Sequence, residues 1–344
     1  MKKDEFLERL AMSAEKLSEQ ERYSLLEYFD ELICDRKEDG EEEEAIIASF
    51  GAPEEIARMV EEERLRTEEQ HPFGEGMEGN SPKEKLRMNP GEGKRYFAPK
   101  DVHTVRLRAE NRGVDVLLTQ EEQISVEFIP VEGKDEVEVY DKDGEFFFCQ
   151  RMRFRPIADV WSLLKSGRKG NRIILYIPGS YQGRIVIRDG NSSVNVRGLS
   201  RISELEVTTS NSSISCLDTQ VNGRTKLWTG NSSVTVSQWE GEELDVKTSN
   251  GRIRLDHVRT PGRVTAKTSN SAVEADRVDA SEIYLKTSNG KITGSVAGDL
   301  SQYDIVSKTG NASSNLPSMY HGTGERKLSA ETSNGKIQIQ FERG

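Results

Sequence analysis

Thr248-Ser-Asn-Gly-Arg-Ile253, Thr268-Ser-Asn-Ser-Ala-Val273 and Thr287-Ser-Asn-Gly-Lys-Ile292 are one six-residue phrase written three times. Variants of it centre on Asn191, Asn211, Asn231, Asn250, Asn270, Asn289, Asn311 and Asn334, with spacings of 20, 20, 19, 20, 19, 22 and 23 residues. A fixed period near 20 marks a solenoid. Each unit has apolar–polar alternation on both sides of the phrase, as in Leu244-Asp-Val-Lys-Thr before Asn250 and Ile253-Arg-Leu after it. A second corner falls near residues 259–262. At ~3.3 Å per residue, such a unit is too short for a long hairpin with a return, but it suits one coil of a parallel β-helix. Stacking then puts identical positions one strand spacing apart. Val, Ile and Leu are expected inside, with Ser, Thr, Lys and Arg facing water.

The asparagines are read as structural. A sharp corner asks for a residue near the left-handed region, which Asn and Gly tolerate best. Stacked amides can also donate and accept from coil to coil, closing a ladder. Calcium is disfavoured because the corners carry almost no carboxylates and lack Gly-Gly-x-Gly-x-Asp. The array resembles a bacterial β-solenoid family labelled as adhesins, whose mark is repeated Thr-Ser-Asn-Gly-x-Ile. The resemblance covers roughly residues 100–341. It implies a right-handed coil and an association with envelope stress or cell-surface sensing.

Upstream, the period changes from 2 to 3.6. Phe6, Leu7, Leu10, Ala14 and Leu17 form one helical stripe, and Leu25, Leu26, Phe29, Leu32 and Ile33 form a second. Ser18 and Glu21 make a capping box between them. Gly40 stops the second helix; Ile46, Ile47 and Phe50 face inward from a third; Gly51 and Pro53 separate it from a fourth carrying Ile56, Ala57 and Val60. Tyr23, Tyr28 and Phe29 are read as packing residues of this bundle. The order Asp4-Glu-Phe-Leu-x-x-Leu10, Leu17-Ser-x-x-Glu-Arg22, Glu27-Tyr-Phe-Asp-Glu-Leu32, Glu38-Asp-Gly40 and Phe50-Gly-Ala-Pro-Glu-Glu-Ile-Ala57 resembles the HAAS helical signalling module. That resemblance implies protein–protein contact within a bacterial envelope-stress or regulatory system. Ala52 departs from it, standing where a capping Asp or Ser is usual, which weakens that helix start by ~1 kcal/mol.

The expected organisation is therefore a helical bundle over 1–65, a Gly/Pro-rich tether over 66–98, and a mainly β, parallel solenoid over 99–344. Residues 146–172 break the repeat as an irregular cap or insert. Charge divides along the same line. Residues 1–70 hold 23 acids against 10 bases, leaving 36 acids and 38 bases for the rest. The acidic part repels nucleic acid, so no nucleic-acid partner is expected.

No hydrolase elbow, zinc helix, phosphate loop or dinucleotide fingerprint appears, and the three cysteines and four histidines are scattered. The reading is non-enzymatic, with no cofactor and no metal. The opening MKKDEFLERL has no apolar leader core and no stretch is long enough to span a bilayer, so a cytoplasmic setting, at most peripheral to the membrane, is expected. A surface adhesin or glycan binder is the alternative; it would need exposed aromatics, for which Trp228, Trp239, Tyr284 and Tyr303 are the candidates. Within the insert, Arg151, Arg153, Arg155, Trp161, Lys165, Arg168 and Lys169 make a candidate docking surface, in a basic run that ends at Arg172. Self-association through the edge left by residues 337–344 is also expected.

Overall fold

The computed structural model describes residues 1–17, 19, 22–23, 25–26, 29–30, 33, 37, 42–58, 60–61, 94–130, 135–152 and 172–342. They fall into two bodies, one helical and one β.

In the helical body, Lys3–Ser13 and Glu43–Phe50 are α-helices, as are residues 53–58 and the described residues between 19 and 37. Their apolar stripes meet in one cluster that includes Leu10, Ile33, Ile46, Ile56 and Val60. At its centre the rings of Phe6, Phe29 and Phe50 contact each other with centroids 5.3–5.7 Å apart. Gly51 ends the Glu43–Phe50 helix at φ 90°. The capping box of Ser18 and Glu21 and the stop at Gly40 lie outside the described residues, as does Tyr28. Tyr23 is 63% exposed and takes no part in the packing expected of it.

The β body is a stack of coils. Long strands such as Ile214–Thr229, Val234–Lys247, Ile253–Lys267 and Val273–Lys286 pair in parallel with their neighbours one repeat away. The register slips at each second corner, between Val221 and Arg224, Glu240 and Glu243, and Thr260 and Arg263. Inward positions are filled by Leu, Ile and Val, which form one continuous core. Cys216 lies fully inside it, where burial pushes its thiol up to about 12.

The stack departs from sequence order at both ends. Thr104–Ala109 and Val114–Thr119 lie beside Arg184–Asp189 and Val194–Arg197, but on their other edge they carry the later strands Glu145–Met152 and Ile173–Pro178. Part of the stretch read as an irregular insert is thus a regular outer layer. Lys94–Phe97, assigned from sequence to the tether, is also a strand; it pairs antiparallel with Ser125–Phe128, which pairs antiparallel with Ile173–Pro178.

At the other end, Arg326–Thr332 inserts between the second half of Val273–Lys286 and the earlier strand Tyr303–Thr309. Ile337–Glu342 pairs with Ile292–Ala297, and its other edge is covered, at residues 337–339, by residues 313–315. Ile337 N–H donates to the Ser313 carbonyl at 3.0 Å. The Asn315 amide then stands in for a peptide group: its Nδ2 donates to the Ile339 carbonyl at 2.8 Å and its Oδ1 accepts from Ile339 N–H at 3.0 Å. The open edge expected at residues 337–344 is closed at this point, because an amide side chain continues the ladder.

Candidate functional site

The repeated corner is built from two side chains. Each motif asparagine donates its Nδ2 to the Oδ1 of the next, through Asn311, Asn334, Asn289, Asn270, Asn250, Asn231, Asn211, Asn191 and finally Asn111, at 2.5–3.1 Å. Eight of these were singled out in the sequence. Asn111 was not, since its surroundings, Ala-Glu-Asn-Arg-Gly-Val, lack the motif. Asn334 precedes Asn311 in space, as the inverted final layers require. None of the eight has a positive φ, so the left-handed corner expected of them is absent; among them all, Asn111 alone is left-handed, at φ 54°. Their contribution is the side-chain amide, not the backbone.

The motif threonines do not face water as expected. Thr209, Thr229, Thr248, Thr268, Thr287 and Thr332 are buried. Thr287 Oγ1 donates to the Ser271 carbonyl of the coil below at 2.8 Å and accepts from Gly290 N–H at 3.1 Å. Thr248 and Thr332 repeat the arrangement with Ser232 and Gly290 carbonyls. The hydroxyl thus clamps one corner shut and ties it to its neighbour. Gly251, Gly290 and Gly335 are needed here for proximity: a Cβ on any of them would meet a carbonyl oxygen of the adjacent coil at 1.6–1.8 Å.

The left-handed residues stand at a different corner. Asp218, Gln238, His257 and Arg277 take φ of 49–52° in four successive coils. With Gln220, Glu240, Arg259 and Asp279 they line a groove of about 510 Å³. Both arginines of the groove and its histidine lie against carboxylates. Arg277 contacts Asp256 at 2.8 Å, His257 Nδ1 lies 3.0 Å from the same carboxylate, and Arg259 lies 3.7 and 3.8 Å from Glu240 and Asp279. Burial opposes ionisation of Asp256, but hydrogen bonds from Arg277 and His257 outweigh it and hold the carboxyl below its ordinary value. A general acid needs the opposite shift.

The side of the stack that leads into the asparagine corner carries the most distinctive pattern. One outward column reads Arg184, Glu204, Arg224, Glu243, Arg263, Glu282, Lys327, Asp304, alternating in sign at every coil. Arg184 meets Glu204 at 3.1 Å and Arg263 meets Glu282 at 2.7 Å. Four residues along each strand, the column beside the motif threonines reads Arg108, Arg188, Thr208, Trp228, Lys247, Lys267, Lys286, Glu331, Lys308. Six cations share it with one acid. Lys247 pairs with Asp245 at 3.2 Å and Lys286 with Glu331 at 3.2 Å, while Arg188, Lys267 and Lys308 have no acidic partner among the described residues. Like charges directly opposite one another across parallel strands repel, so the Arg108–Arg188 and Lys247–Lys267–Lys286 runs work against the stack that the alternating column supports. The sequence held a signal for the cation-rich column: the residue before each motif threonine.

Of the docking residues read from the sequence, Arg151 is exposed and lies 4.0 Å from Glu138. Arg153, Arg155, Trp161, Lys165, Arg168 and Lys169 lie outside the described residues. Arg172, which closed that basic run, is a tie inside the β body: it holds both oxygens of Asp115, at 2.5 and 2.6 Å, and reaches Ser193 Oγ at 3.1 Å. Of the aromatic candidates, Trp239 and Tyr303 are fully buried. Trp228 is covered by Lys226 Nζ at 3.7 Å and Lys247 Nζ at 4.0 Å, and Tyr284 by Lys267 Nζ at 4.8 Å. No open aromatic platform results from these four.

Among the described residues no helix is long and apolar enough to cross a membrane. Comparison with known proteins gives two family matches: residues 5–59 match the HAAS model and residues 100–342 match the model described as Toastrack DUF4097. No curated protein matches the chain. A solved structure, described as that of a candidate cell adhesion protein from Clostridium sporogenes, is 12% identical, covering 73% of this chain and 99% of that one with a TM-score of 0.25. With 100–342 matched out of 344 residues, the chain belongs to the Toastrack DUF4097 family and carries a HAAS module ahead of its β-solenoid.

Proposed function

We propose that this chain is a non-catalytic interaction protein of a bacterial envelope-stress or regulatory system, in which the helical module makes protein contacts and the solenoid side is a binding platform. The observation that carries this reading is the cation-rich column from Arg108 to Lys308, four residues along each strand from a column that alternates in sign. A purely structural face gains by alternation everywhere. The HAAS match supports a regulatory setting, and the depressed carboxyl in the groove weighs against acid catalysis there. The covered rings of Trp228 and Tyr284 weigh against a glycan-binding adhesin, which stacks sugars on open aromatic faces.

Fractionation of native cells tests the setting. The chain is expected inside the cell boundary, protected from added protease, with an envelope-associated fraction that is lost when Lys247, Lys267 and Lys286 are changed to Glu. Cleavage by protease added to intact cells turns the reading toward a surface adhesin.

A further inference from the structure

We infer that the column from Arg188 to Lys308 binds a linear phosphate polyanion laid along the stack, an assignment that rests on the platform reading above. Four observations converge on this chemistry. The column spans eight coils, about 34 Å at ~4.8 Å per step, which suits a chain and not a single anion. Its central members, Lys247, Lys267 and Lys286, stand in adjacent coils. Lysine is a compact, flexible point charge that follows successive phosphates without demanding the planar geometry carboxylates share with arginine.

The face also lacks what competing partners need. Its backbone groups are spent in the parallel ladders, so an acidic peptide finds no strand edge to pair with. Both lysines over Trp228 and the lysine over Tyr284 occupy ring faces on which nucleic-acid bases would stack. Arg188, Lys286 and Lys308 stay exposed, Lys247 and Lys267 half-buried, and the hydroxyl-bearing Thr208 and Thr265 stand half-buried among them.

The test uses the full chain and inorganic polyphosphate, titrated at several salt concentrations. Binding is expected, weakening steeply with salt. The variant R188S/K267S/K308S removes the three cations that have no acidic partner, and the slope of log affinity on log salt should fall by about 2–3. Exchanging Arg224 with Glu243 in the alternating column keeps the net charge and should leave affinity within twofold. A melting curve for each variant separates lost binding from lost folding.

Four results overturn the assignment: no binding of polyphosphate at low salt; equal loss in both variants; poly-glutamate of matched charge binding as tightly; or single-stranded DNA binding more than tenfold tighter than its abasic counterpart. If polyphosphate fails but the lysine reversals still abolish envelope association, the platform stands and only its phosphate ligand falls.

Discussion

Four successive coils of the solenoid turn at an asparagine corner and again at a left-handed bend, and the two solve the same geometric problem differently. At the first, the backbone keeps ordinary torsions and the turn is held by side chains: a threonine clamp, an amide rung, and a glycine or small residue where the next coil presses in. At the second, the backbone itself takes the strain at φ 49–52°, and Asp218, Gln238, His257 and Arg277 share no side-chain chemistry. A corner made by side chains dictates its residues. One made by torsion only taxes them, by ~1–2 kcal/mol for a residue with a Cβ.

Substitutions at the two corners should therefore differ in sign as well as size. The largest effect is expected from Gly290→Ala, whose Cβ would meet the Ser271 carbonyl oxygen at 1.8 Å. Neither partner is a flexible side-chain end, so the corner must open, at a cost of about 3 kcal/mol in denaturant-induced unfolding. A loss below about 1 kcal/mol would show that the coils separate easily. Thr287→Val comes next. It keeps the shape but strands the half-buried Gly290 N–H and removes a donor from the Ser271 carbonyl, which should cost about 2 kcal/mol. Asn270→Ala breaks two rungs, to Asn250 and from Asn289, at an exposed site. It is expected to cost about 1 kcal/mol, and Asn311→Ala, at the end of the ladder with one rung, about half as much.

At the bend the sign reverses. His257→Gly relieves the left-handed torsion and should leave stability unchanged or raise it by up to about 1 kcal/mol; a clear loss would mean that the His257–Asp256 contact matters more than the torsion. The smallest effect is with pH. Since the folded Asp256 carboxyl lies below its ordinary value, its contribution is complete above the usual carboxylate range and is lost as pH falls through that range and below. Asp256→Asn should flatten the acid limb of the stability curve slightly and leave neutral-pH behaviour of the rest intact.

The same contrast explains what could be read from residues alone. The asparagine corner was legible because the amide is required at every turn, and the period gave the solenoid. The threonine clamp was within reach too: Leu205, Val207 and Thr209 share one parity, all buried, so alternation alone placed the hydroxyl inside. The bend was not legible, since a torsion that four residue types accept leaves no mark in residue identity. Layer order was hidden for another reason. Spacings of 22 and 23 before the last two asparagines hint at irregularity, yet nothing in a local pattern says that Arg326–Thr332 slips beneath Tyr303–Thr309. The charged column was spread at one residue per repeat, and only stacking makes it a row.

That slip has a bearing on how the molecule is made. Residues 326–342 emerge from the ribosome after residues 303–315, yet they occupy the place directly against the preceding coil. The nascent chain cannot finish by simply laying each new turn on the last. Whatever 303–315 rests on while it waits must be given up, so the two final turns have to settle together, after translation has passed residue 342.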